Sequence, residues 1–270
     1  MAGCATPTEL PARPEGELVT GTYGCPLLVV SLQDEDRITV VRACDGTTVA
    51  RHADVTQPSA AAVASGSIFA TSFATGGVYR ADEGEIFRDT WFLQEPVAMS
   101  WHDDVLWVLG RDGRHFVLLD ADGTLLDLVG GAALDRTHDF VRANDDRLYV
   151  TTSWNAKTDG RIQVWDPGTR GLVDDFGEAL ELPVGIDEGP DGLLYVADWG
   201  RDRLERFSTD GARDASWEVA IDAPLGLAAW RDGTIYVAAR GGVFAVHPSD
   251  PEPTLVFEAA DARSITVVDW

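Results

Sequence analysis

Lysine is almost absent from this chain: among 21 basic residues only Lys157 is a lysine, and those cations face 45 acids for a formal net charge of −24. A field of that sign repels nucleic-acid phosphates and anionic lipid surfaces, so nucleic acid is excluded as a partner class. No apolar run approaches the ~20 residues of a membrane-spanning helix, and no charged-then-apolar secretory signal opens the chain. No stretch reads as a long amphipathic helix. HExxH, GxSxG, GxGxxG and CxxC are all missing, which removes the sequence basis for zincin, hydrolase-elbow, dinucleotide and zinc-ribbon readings.

Cysteine is scarce too, with three in 270 residues, yet each carries information. Ala2-Gly3-Cys4 has the form of a bacterial lipobox ending, and the Pro-rich stretch Ala5–Gly16 reads as a flexible tether, so residues 1–18 are expected to lie outside the folded domain. The expectation is a lipoprotein carrying lipid on Cys4; a chance tripeptide is the alternative. If the hairpin that follows turns between Asp34 and Glu35, Val30 faces Thr39, Leu28 faces Val41 and Cys25 faces Cys44. Directly opposed residues at a non-hydrogen-bonded site come within disulfide range. A Cys25–Cys44 bond is therefore expected, and with it an oxidising, extracytoplasmic location in the periplasm or at the cell surface.

What the chain has in abundance is repetition. The stretch Leu182–Phe207 holds three apolar bursts separated by turns, with Asp191-Gly192 suited to a tight hairpin. Its second burst recurs six times, beginning at Leu28, Ile68, Leu106, Leu148, Leu194 and Ile235, at spacings of 40, 38, 42, 46 and 41 residues. A period of ~40 with about four strands per unit is the mark of a propeller blade. Inner strands are expected at Pro58–Ala64, Pro96–Trp101, His138–Ala143, Pro183–Asp187 and Pro224–Trp230. The first unit lacks one, whereas Arg263–Val268 has the inner-strand pattern with nothing after it. The C-terminal strand is thus expected to complete the first blade and close the ring, removing exposed sheet edges. Turn pairs agree, at Ser65-Gly66, Asp103-Asp104, Asp145-Asp146, Asp191-Gly192 and Asp232-Gly233. Asp120-Ala121-Asp122-Gly123 has the start of a calcium loop without its later ligands, and its position suits a plain hairpin.

The motifs Pro183-Val184-Gly185-Ile186, Leu194-Tyr195-Val196-Ala197-Asp198 and Pro224-Leu225-Gly226-Leu227 resemble NHL-type repeats. The resemblance implies an all-β, six-bladed β-propeller of four-stranded antiparallel blades over residues 19–270, and within it Asp198 recurs as a turn-stabilising residue. The wider superfamily includes metal-dependent lactonases resembling regucalcin and gluconolactonase, and lyases that use channel-mouth histidines. The lactonases carry an early glutamate ligand where this chain reads Tyr23-Gly24-Cys25-Pro26.

In a propeller the inner strands line a central channel, and the loops at one end form the default ligand face. The strand-start positions are Ser59, Val97, His138, Val184, Leu225 and Arg263, mostly small or apolar, so His138 with Asp139, and Arg263, stand out as candidate ligand-binding residues. Loops on the same face add Trp154, Asn155, Asp198, Trp199 and Arg240. The expected function is an exported, lipid-anchored, monomeric binding module for a small molecule, peptide or protein. The alternative is a hydrolase or lyase using His138 with Asp139 or Asp198. No cofactor is expected; a divalent cation, calcium or zinc, is what the enzyme alternative leaves open.

Overall fold

A computed structural model describes residues 24–268 except 65, 82, 90, 154–158, 178 and 179. Six four-stranded antiparallel sheets follow one another around a ring. Their inner strands are Ala262–Val268, Pro58–Ala64, Pro96–His102, Thr137–Arg142, Pro183–Glu188 and Leu227–Ala229, numbered here as first to sixth blades in that order. The expected tether at 1–18, with Cys4 in it, lies outside the described residues, as does Ser65 of the expected turn.

The second strand of each blade is a continuous apolar run because both of its faces are covered. Successive side chains of a strand point to opposite faces, and in Leu27–Leu32 the odd and even positions go to different cores. Leu28, Val30 and Leu32 pack on Tyr236 and Ala238 of the sixth blade, while Leu27 and Val29 pack on Ala61, Ile68 and Ala70 of the second. The same arrangement repeats at every junction, giving six hydrophobic clusters between six pairs of neighbouring blades. The outermost strands cover only one face and are correspondingly polar; Leu172, Val173, Asp174 and Asp175 are all exposed.

Closure follows the sequence pattern. The C-terminal strand Ala262–Val268 pairs antiparallel with Leu27–Leu32, matching Leu28 with Val267 and Val30 with Ile265. Asp261, just before it, accepts the backbone N–H groups of Asp34 and Glu35 at 2.8 and 3.0 Å, tying the first hairpin turn to the chain end. That hairpin has the expected register, with Leu28 opposite Val41 and Val30 opposite Thr39. Two positions beyond its ladder, Cys25 and Cys44 form a disulfide with a Cα–Cα distance of 5.7 Å.

Two expectations are corrected in detail. The sixth inner strand is Leu227–Ala229, shorter than Pro224–Trp230. Ala223 sits at φ 48° and Pro224 has no N–H, so the chain arrives in a turn and the ladder starts late. The Asp120 segment is a hairpin turn: Asp120 Oδ1 accepts the N–H groups of Asp122 and Thr124 at 2.9 and 2.8 Å, which uses its carboxylate as a turn-former.

Candidate functional site at the channel mouth

The inner strands enclose a channel of about 510 Å³. Because they all run the same way along the ring axis, their first residues gather at one opening, the proximal mouth, and their last at the other. Near the start of five of the six, the ladder carries an irregularity. Thr137 pairs with Thr152 and Asp139 with Thr151, leaving His138 as the extra residue of a β-bulge. Ser59, Val97 and Val184 are the equivalent bulged residues of their blades, and Arg263 is that of the first. A bulge bends the strand and re-aims the unpaired side chain. Five of the strand-start positions singled out in the sequence therefore line the channel for a geometric reason, and Leu225, which precedes the sixth ladder, lines it as well.

His138 and Arg263 belong to the fourth and first blades, three blades apart in a ring of six, so they stand on opposite sides of the proximal mouth. His138 Nε2 lies 2.8 Å from the hydroxyl of buried Ser153. Burial first, and then the charges of Arg111, Arg263 and Arg136, push the imidazole down to about 3. The ring keeps partial access to channel water, which offsets part of the burial effect, and at neutral pH it is uncharged either way. Arg263 is lowered in the same direction by burial and by Arg111. Arg111 itself is fixed by Glu95, 3.6 Å from its guanidinium, and lies over the Phe73 ring at 5.6 Å.

Asp139 lines the channel, but its carboxylate is engaged. Phe140 N–H donates to Oδ1 at 2.8 Å, and Ile186 N–H, from the next blade, donates to Oδ2 at 3.1 Å. Asp187 repeats the device one blade on, accepting from Glu188 at 2.9 Å and from Ala229 at 2.8 Å. These two side chains latch the fourth blade to the fifth and the fifth to the sixth. Burial raises Asp139 to about 8 and Asp187 to about 6, against the opposing pull of the backbone donors.

The other expected residues separate from the channel wall. Asp198 is fully buried and accepts N–H groups from Glu181, Leu182 and Gly200 at 3.0, 2.9 and 3.2 Å, so it holds the loop that leads into the fifth inner strand. Trp199 begins the short 3-10 turn Trp199–Arg201 and is 39% exposed. Arg240 is exposed and paired with Asp222 at 2.8 Å. Trp154 and Asn155 lie outside the described residues. Sequence reasoning passed over Arg111 and Arg136. Arg111 follows a second strand as Arg240 does, a position at which it could have been found; Arg136 is close to the mouth only because His138 is.

Among the described residues, no three His, Cys, Asp or Glu side chains are grouped to hold a metal ion. No helix among them is long and apolar enough to cross a membrane.

Comparison with protein families and with curated proteins finds no match. Solved structures do match. A chain from a nidogen/laminin complex aligns over 90% of this chain and 98% of its own, with TM-score 0.74 and 15% identity. Virginiamycin B lyase from Staphylococcus aureus aligns over 93% of each chain, with TM-score 0.63 and 14% identity. A catalytically inactive histidine-to-alanine variant of that lyase, with quinupristin, aligns over 88% of this chain and 86% of its own, with TM-score 0.63 and 15% identity. Identities this low speak for the fold. Six four-stranded blades, a ring closed by the C-terminal strand, and these likenesses make the chain a six-bladed β-propeller.

Proposed function

We propose that this propeller is a binding module that takes a small ligand at the proximal mouth of its channel. The observation that carries the reading is the pair His138 and Arg263, delivered by bulges to opposite sides of an open channel of about 510 Å³. That volume lies in the range of small-molecule sites, and a few polar groups among apolar walls is the usual composition of one. Val97, Val184 and Leu225 supply those walls. The disulfide supports residence in an oxidising, extracytoplasmic compartment, and a lipid on Cys4 would keep the protein at a membrane surface there.

Catalysis by a histidine is the competing reading, and the likeness to a lyase whose histidine variant is inactive gives it its motive. The electrostatics disfavour it. A general base works best with a pKa near the operating pH, and His138 is held near 3 by burial and three guanidinium groups. Such an imidazole is a hydrogen-bonding group.

A thermal-shift screen of neutral, acidic and aromatic small molecules tests the proposal. Hits are expected to lose their shift in the His138→Ala/Arg263→Ala variant and to keep it in Arg240→Ala, which alters an exposed ion pair away from the channel. Hits unaffected by the channel variant would place binding elsewhere. Consumption of quinupristin by the wild type, abolished in His138→Ala, would replace the binding reading with the enzymatic one.

A further inference from the structure

The sequence is strongly acidic, and its arginines are mostly neutralised. Arg80, Arg142, Arg203, Arg206 and Arg213 each hold a carboxylate within about 3 Å. Arg263 is the contrast. Among the described residues no carboxylate pairs with it; the charge that bears on it is that of Arg111, and its own charge bears on His138 across the mouth. Arg136 bears on His138 from two residues earlier in the chain. Of the acids nearby, Glu95 is committed to Arg111, and Asp139 has both oxygens turned to backbone N–H groups.

Holding the Arg263 guanidinium in the channel wall with no carboxylate partner and a second guanidinium bearing on it is costly, because burial and like charge both disfavour its charged form. A bound carboxylate or phosphate relieves both costs through charge-assisted hydrogen bonds. The cost is visible in the lowering of Arg263 by burial and by Arg111.

We propose that the proximal mouth is an oxyanion subsite, in which Arg263, supported by Arg111, receives the carboxylate or phosphate group of a small ligand while His138 hydrogen-bonds to the same ligand. This deepens the binding reading above and rests on it. Guanidinium suits the task because its planar fork matches either group in a bidentate pair. The ligand's remaining surface meets Val97, Val184 and Leu225, so the favoured class is a small organic anion with an apolar body. The overall negative field slows the approach of any anion, which makes the local cluster a selective feature: it admits an anion that fits and leaves the rest of the surface repellent.

Isothermal titration with sodium benzoate, its neutral isostere benzamide, and inorganic phosphate tests this on the full chain. Benzoate, phosphate or both are expected to bind saturably, at least tenfold tighter than benzamide, the equivalent of ~1.4 kcal/mol. Arg263→Gln should abolish that preference, Arg263→Lys should retain part of it, and Arg240→Gln should leave it unchanged. An unchanged melting temperature of Arg263→Gln shows that the fold is intact. Binding by benzoate alone assigns a carboxylate and by phosphate alone a phosphoryl group; either supports the subsite. Equal binding of benzoate and benzamide, lost in His138→Ala, would overturn the anion class and leave the channel-binding reading standing. No channel-dependent binding by any probe would overturn the subsite, and a thermal-shift hit with a neutral compound would still separate that outcome from failure of the binding module.

Discussion

Stability of this propeller should fall as pH rises from about 4 to about 8, by an amount carried by Asp139 and Asp187. Both carboxyls are raised in the fold from an ordinary value of 3.8, to about 8 and about 6 respectively, chiefly by burial. Well below pH 4 the folded and unfolded chains are both protonated at these positions, and the groups are neutral with respect to folding. Between the two values the unfolded chain has released its protons while the fold retains them, so each step upward in pH favours unfolding. Above about pH 8 the fold must hold two buried negative charges, and the loss is complete.

At ~1.4 kcal/mol per pKa unit, shifts of about four and two units set a ceiling of ~8 kcal/mol. Both residues line the channel, where the effective dielectric is higher than in the deep interior, so ~2–4 kcal/mol is the working magnitude. For a domain of this size that is a melting-temperature change of ~5–15 °C. The acidic surface repels itself more strongly at high pH and pushes the same way, so unfolding should be followed in ~1 M salt, where the Debye length is ~3 Å. The comparison is with Asp139→Asn/Asp187→Asn. That variant is expected to start lower, since each amide nitrogen cannot accept the N–H its carboxylate oxygen accepted, at ~1–3 kcal/mol per site. Its pH profile, however, should be flatter than the wild type's by the 2–4 kcal/mol above. Parallel profiles at high salt, or a wild type that gains stability with pH, would refute the assignment of these latches as the pH-sensitive element.

Two further substitutions examine the scaffold. A Cβ at Gly185 would lie 2.2 Å from the Leu225 carbonyl oxygen of the next blade, so Gly185→Ala should cost ~2 kcal/mol or more in urea unfolding, whereas Gly24→Ala, with open space around it, should be silent. The Cys25–Cys44 bond closes a sequence separation of 19 residues, worth ~3 kcal/mol by loop entropy; reduction should lower the wild type's melting temperature accordingly and leave Cys25→Ala/Cys44→Ala unmoved, and a mass count of two free thiols in protein isolated without reductant would remove the bond altogether.

The ring was legible because its information is local and repeated. A second strand buried on both faces must be apolar at every position, so Leu28-Val29-Val30 and its five counterparts announce themselves at a steady period, and the unmatched Ala262–Val268 segment has one place to go. Pairing in the first hairpin is fixed by its turn, which is why a disulfide could be read from residue numbers alone. The site was legible by position and not by role. Aligning blades put His138, Asp139 and Arg263 at one opening, yet nothing in the sequence separates a carboxylate aimed at a ligand from one that latches blades, and Asp139 is of the second kind. Asp198 had the same ambiguity, and its three backbone donors decide it the same way.

Arg111 shows where local reading stops. It is close in sequence to neither Arg263 nor His138, and what makes the three act on one another is closure of the ring, which brings the first, third and fourth blades to a common axis. A period of ~40 residues implies that axis, but the charge that collects on it depends on which side chains the bulges turn inward. In this chain the acidic side chains near the mouth are consumed by the scaffold, Asp139 by the latch and Glu95 by Arg111, and among the described residues Arg263 is left without a carboxylate. A protein with a large excess of carboxylates thus keeps an arginine without a carboxylate partner at its channel mouth through what its framework uses up.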